Sequence, residues 1–123
     1  MNPLRHHEQT ATHINGQKNE YFLHFLNKNS DLFIERLVKK TGIENINFKD
    51  KYIAIKIHFG EPGNLAYLRP NYSKVIADLV KNNGGKVFLT DCNTLYVGRR
   101  KNALEHMDAA YENGYNPFTT GCQ

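Results

Sequence analysis

Asp91, Cys92, Asn93, Thr94 and Tyr96 put an acid, a thiol, an amide, a hydroxyl and a phenol into one short stretch that closes on Gly98. A turn that only reversed the chain would not need that density of chemistry. A second stretch, His58-Phe59-Gly60-Glu61-Pro62-Gly63, adds an imidazole and another carboxyl group among glycines and a proline. His58 beside Asp91 could act as a general base, with the carboxylate fixing the imidazole tautomer, so these two form the candidate catalytic pair. The plainer reading of His58 is a hydrogen bond within the protein. Glu61, Arg69, Asn93, Thr94, Tyr96 and Arg99 are the candidate ligand-binding residues. Against that stand a solvated surface acid at Glu61, turn caps at Asn93 and Thr94, and a core cover at Tyr96. A metal site of His58, Cys92 and Cys122 is conceivable because imidazole and thiolate suit zinc or iron. No chelating pair at short spacing supports it, and no metal is assigned.

The elements that must position these residues follow from apolar spacing. Phe33, Ile34, Leu37 and Val38 predict a helix from Ser30, stopped at Gly42. Tyr52–His58 is a nearly continuous apolar run that suits a parallel strand covered on both faces. Pro70 opens a second helix with Val75, Ile76, Leu79 and Val80 on its buried stripe, and Gly84-Gly85 end it. Lys86–Thr90 is the next strand. A third helix, roughly Lys101 to Asn113, buries Ala103, Leu104, Met107, Ala110 and Tyr111. Phe118-Thr119-Thr120 reads as a further strand beginning, and Tyr21–Leu26 as a first one.

The expected fold is therefore α/β, a parallel βαβα sheet with helices on its faces, truncated after the start of a further strand. Parallel strands bring His58, Asp91, Cys92 and Cys122 to one edge, where ligands of open α/β sheets bind. Arg69 precedes one helix start, and Arg99, Arg100 and Lys101 stand at another. Cations there oppose the helix dipole unless an anion binds with them, so a small anionic molecule is one expected partner and solvated surface charge the other reading.

Composition narrows the classes. The chain has 123 residues, 40% of them apolar and 23% charged, as expected of one globular domain. No run approaches the ~20 apolar residues of a membrane span. Met1–Lys18 is polar, without the apolar core of a signal peptide, and reads as a tail; a cytoplasmic location follows as the expectation. The net charge of +4 is dispersed and lacks the aromatic-interleaved patches of RNA-binding modules, so no nucleic-acid partner is expected. Two cysteines cannot form a four-thiolate centre, and reduced thiols are the plain reading. Gly60-Glu61-Pro62-Gly63 has neither dinucleotide nor P-loop spacing, so no nucleotide is assigned.

Ala54-Ile55-Lys56-Ile57-His58-Phe59-Gly60-Glu61-Pro62-Gly63-Asn64, Leu68-Arg69-Pro70 and Phe88-Leu89-Thr90-Asp91-Cys92-Asn93-Thr94-Leu95-Tyr96-Val97-Gly98-Arg99 resemble the DUF362 family, as do Asn102–His106 and Glu112–Gly114. The resemblance spans about residues 19–123. It implies the α/β part of an uncharacterised iron–sulfur centre protein with a redox role. Longer family members carry a ferredoxin-like module with clustered cysteines binding [4Fe–4S]. No such cysteines occur here, so the resemblance implies a fragment, with a ferredoxin-like module or other redox partner elsewhere. The competing expectation is a non-catalytic scaffold whose motif loops serve packing.

Overall fold

The computed structural model describes residues 28–123. The polar extension and the expected strand Tyr21–Leu26 lie outside the described residues. Two units are distinguished, Met1–Phe33 and Ile34–Gln123, and the second contains both strands and every candidate site residue. Residues 28–40 are helical (α1), so the helix is already formed ahead of Ser30. It stops where expected: Gly42 takes φ +81° and its N–H bonds the Lys39 carbonyl at 3.0 Å. A 3-10 turn, Ile43–Asn45, follows.

The sheet has two parallel strands, β1 (Tyr52–Lys56) and β2 (Lys86–Thr90), joined through α2 (Pro70–Asn82). In their register Tyr52 pairs with Lys86 and Lys56 with Thr90, so the two strands end level. β1 is shorter than the apolar run. Ile57 continues the ladder by one bond to the Thr90 carbonyl at 2.9 Å, and His58 belongs to the loop. Ile53, Ile55, Val87 and Leu89 share the half-buried face, and α2 packs against both strands. The expected cover on both faces is corrected. Tyr52, Ala54, Lys86 and Phe88 lie exposed on the other side among the described residues, with the Lys86 ammonium over the Tyr52 ring at 5.4 Å. Alternation around Ala54, rather than the run's overall hydropathy, decides which face is buried.

On α2 the fully buried positions are Ser73, Ala77, Leu79 and Val80, while Val75 and Ile76 flank them half-buried. The small Ser73 and Ala77, one turn apart, let the helix approach its neighbours closely. α3 spans Ala103–Glu112, capped by Asn102, whose side chain accepts the Glu105 N–H at 3.0 Å. Its predicted stripe is corrected. His106, Ala109 and Ala110 are buried, whereas Leu104, Met107 and Tyr111 are more than half exposed. Hydrogen bonding to His106 turns that face inward, and two alanines give it room.

The expected strand Phe118–Thr120 is a helical turn instead, α4 (Pro117–Thr120). The Asn116 side-chain oxygen accepts the N–H groups of Phe118 and Thr119, Pro117 sits at the first helical position, and Gly121 closes the turn at φ +74°. Capping chemistry outweighs the strand preference of Phe-Thr-Thr. Beyond α4 the Gln123 carbonyl accepts the Leu89 N–H at 2.6 Å, which sets the chain beside β2 on the edge away from β1. No helix among the described residues is long and apolar enough to cross a membrane.

Two glycines in the loop after β1 separate conformational from steric need. Gly60 has φ +88°, and a Cβ there would lie 2.5 Å from Asn113 Nδ2 and 2.8 Å from the Tyr67 ring. Gly63 has φ +81° but open space around it. Gly63→Ala is expected to cost about 1–2 kcal/mol, the left-handed penalty alone. Gly60→Ala adds overpacking of about 1–3 kcal/mol, so its urea midpoint falls clearly below that of Gly63→Ala.

Candidate functional site

Level strand ends bring the loop after β1 against the loop after β2, and the Asp91 carboxylate joins them. Its Oδ1 accepts the Cys92 N–H at 2.8 Å and faces Lys56 Nζ at 3.3 Å. Its Oδ2 accepts the Phe59 N–H at 3.2 Å and Arg100 Nη1 at 3.3 Å. Burial alone would raise the Asp91 carboxyl. The Cys92 and Phe59 N–H groups and the Lys56 ammonium outweigh it and hold the carboxyl below its ordinary value.

Arg100 is the buried centre of this edge, its side chain 4% exposed. The guanidinium donates through Nε to Glu61 Oε2 at 2.5 Å, through Nη1 to Asp91, and through Nη2 to the Tyr96 hydroxyl at 2.7 Å. Burial pulls this guanidinium down, and Glu61, Tyr96 and Asp91 together push it above its usual value. Glu61 also accepts the Arg99 N–H at 3.1 Å through Oε1. Arg100 holds the Glu61 carboxyl below the ordinary range, with the Arg99 N–H assisting against the opposing effect of burial. Arg99 itself pairs with Glu112 at 2.5 Å.

A cavity of about 310 Å³ opens on the α3 side of this cluster. Asp91, Asn93 and His106 give it a polar end, while Phe59, Leu89 and Tyr115 contribute apolar wall. His106 is 6% exposed. Its Nδ1 lies 3.0 Å from Asn93 Oδ1, and its ring stands edge-on to Phe59 with centroids 5.7 Å apart. Its Nε2 has no hydrogen-bond partner. The nearest acid, Asp91 Oδ2, is 3.4 Å away, too far for a good bond and already accepting two others. Tyr115 floors the cavity region, donating to the Leu68 carbonyl, and burial raises its phenol.

The expected residues divide sharply. His58 is not the imidazole at Asp91. Its Nδ1 accepts the Gly60 N–H at 2.9 Å, which occupies the lone pair a general base would use there. Glu61, Tyr96 and Arg99 are drawn into the ion cluster, and Thr94 donates its N–H to the Arg100 carbonyl at 2.9 Å. Arg99 and Arg100 spend their charge on Glu112, Glu61 and Asp91, so two cations expected to meet an anion are answered internally. Arg69, exposed at the start of α2, does not join them. Asn93 reaches the cavity. His58, Cys92 and Cys122 are not assembled as a metal site; among the described residues no three His, Cys, Asp or Glu side chains are placed to share an ion. Cys92 is exposed and Cys122 buried, both as free thiols. Reasoning from sequence missed His106, whose only signal was its place on the helix after the loop, and gave Arg100 no role of its own.

A family model described as "Domain of unknown function (DUF362)" matches residues 53–123. No curated protein and no solved structure matches the chain.

Arg100→Met leaves two carboxylates without their buried partner and is expected to cost about 3–5 kcal/mol in urea unfolding, the usual loss when one member of a buried pair is removed. Arg99→Met, on the surface, should leave the melting temperature nearly unchanged. Lowered carboxyls at Asp91 and Glu61 contribute stability that is fully present above the unfolded value near ~4 and is lost as pH falls through the lower folded value. The melting temperature should therefore fall as pH drops below about 4, and Asp91→Asn should flatten that fall.

Proposed function

The chain belongs to the DUF362 family, and on that premise we propose that the unit Ile34–Gln123 is a small-molecule-binding α/β domain whose site is the cavity at the carboxyl end of β2. One observation carries the reading: His106 Nε2 is buried at the polar end of that cavity with no hydrogen-bond partner. An unpaired buried nitrogen costs about 1–3 kcal/mol, and a bound group that satisfies it recovers that loss. The cavity's composition supports the same reading, being mostly apolar wall with a few convergent polar groups.

A [4Fe–4S] cluster takes four thiolates. The two cysteines here, one exposed and one buried, do not fit it. In this proposal any iron–sulfur redox step belongs to a ferredoxin-like module or redox partner, and the present residues supply ligand binding. The second reading, a scaffold whose motif loops serve packing, is favoured for one subset of residues. Glu61, Asp91 and Arg100 tie the two loops together and have little surface left for a ligand.

Benzyl alcohol is a suitable probe of the cavity. Titrated into the full chain, it should shift the NMR signals of the buried wall residues Tyr115 and Ala110 saturably, with millimolar affinity. Ala103→Phe, at an exposed position on the cavity wall, should weaken that binding by about tenfold. Equal shifts in both proteins, or shifts scattered over the surface, would reject the site. His106→Gln tests the scaffold reading: lost probe binding at a near-native melting temperature supports a site, and a large stability loss with binding intact supports packing.

A further inference from the structure

Resting on the cavity reading above, we infer that this site takes a ligand presenting a hydrogen-bond donor, an alcohol hydroxyl or an amine on a small apolar body, and disfavours an anion. The inference comes from the direction of the bonds around His106. Asn93 Oδ1 is an acceptor only, so with that oxygen 3.0 Å from Nδ1 the inferred tautomer carries its proton on Nδ1. In the neutral ring that leaves Nε2 as a bare acceptor. Asp91 Oδ2, 3.4 Å from Nε2, is an acceptor as well. Two acceptors thus stand side by side at the polar end of the cavity, and Nε2 has no hydrogen-bond donor of the protein on it. A hydroxyl or an amine can donate to Nε2, while Oδ2, already accepting from Phe59 and Arg100, adds the negative charge beside it that favours a donor.

An incoming carboxylate or phosphate would place a third acceptor against these two. It would find no compensating cation, because Arg100 is held by Glu61, Asp91 and Tyr96, and Lys56 faces the other oxygen of Asp91. The apolar part of the wall favours an apolar body. Phe59, Leu89 and Tyr115 border a volume of about 310 Å³, at the small end of the range for ligand pockets. Asn93 acts here as a positioning residue, selecting the tautomer that makes Nε2 an acceptor.

Two measurements on the full chain test this. Long-range ¹⁵N NMR of the histidine rings at mildly alkaline pH should show His106 with its proton on Nδ1, and Asn93→Asp should preserve that tautomer while Asn93→Ala releases it. A proton on Nε2 overturns the inference. The second measurement compares three probes of one shape, benzyl alcohol, benzylamine and benzoate, by the shifts of Tyr115 and His106. The alcohol and the amine should bind at least about tenfold more tightly than benzoate, equivalent to one net hydrogen bond. Benzoate binding as well as the alcohol would overturn the donor preference and leave the cavity reading standing. No binding by any of the three would overturn both.

Discussion

The guanidinium of Arg100 is the constraint on which the edge of this sheet depends. Removing a cation from water is expensive, and mutual attraction offsets that cost only when geometry and hydrogen bonding are good. Arginine meets the condition because its planar fork presents donors in several directions at once. Here those directions lead to Glu61 in the loop after β1, Asp91 directly after β2, and Tyr96 further along the same loop. Satisfying one buried charge therefore folds two loops into a single body. The Arg99 N–H on the second oxygen of Glu61 and the Phe59 N–H on Asp91 carry the same linkage through the backbone.

That linkage explains how α3 is held. α2 packs directly on both strands and on α4, in the ordinary manner of an α/β layer. α3 is fastened through loop residues instead. The Asn113 side chain donates to the Phe59 carbonyl at 2.9 Å, and the His106 ring rests against Phe59. A helix attached in this way leaves space between itself and the sheet, and the cavity occupies that space. Motif residues divide accordingly. The charged ones build the edge, and Asn93 and His106 face what the edge encloses. Asp91 does both, since the oxygen it gives Arg100 is also the one nearest His106.

Where the chain's information is local, the sequence is readable. Pro70 marks its helix start, Gly42 marks a stop, and the β-branched runs become parallel strands in the order expected. Failures occur where a local preference met a competing one. Phe118–Thr120 have strand-forming side chains, but Asn116, Pro117 and Gly121 around them specify a turn of helix. The stripe on α3 was misplaced because hydrophobic spacing counts Leu104, Met107 and Tyr111 as core and gives a histidine no weight.

The sequence by itself determined the α/β class, the parallel strand pair, and the two loops that carry the site, because each follows from periodicity, capping residues and chain direction. It could not assign partners among the five carboxyl and guanidinium side chains of Glu61, Asp91, Glu112, Arg99 and Arg100, since ion pairing across 39 positions, as between Arg100 and Glu61, depends on which groups lose water together. Tertiary structure decided that His106 rather than His58 stands beside Asp91. It also decided that the arginines at the loop end answer internal acids. The physical reason is burial: once the loops close, every charge inside must find a partner from the chain itself, and the one nitrogen at the cavity's polar end that finds none marks where a ligand would complete the set.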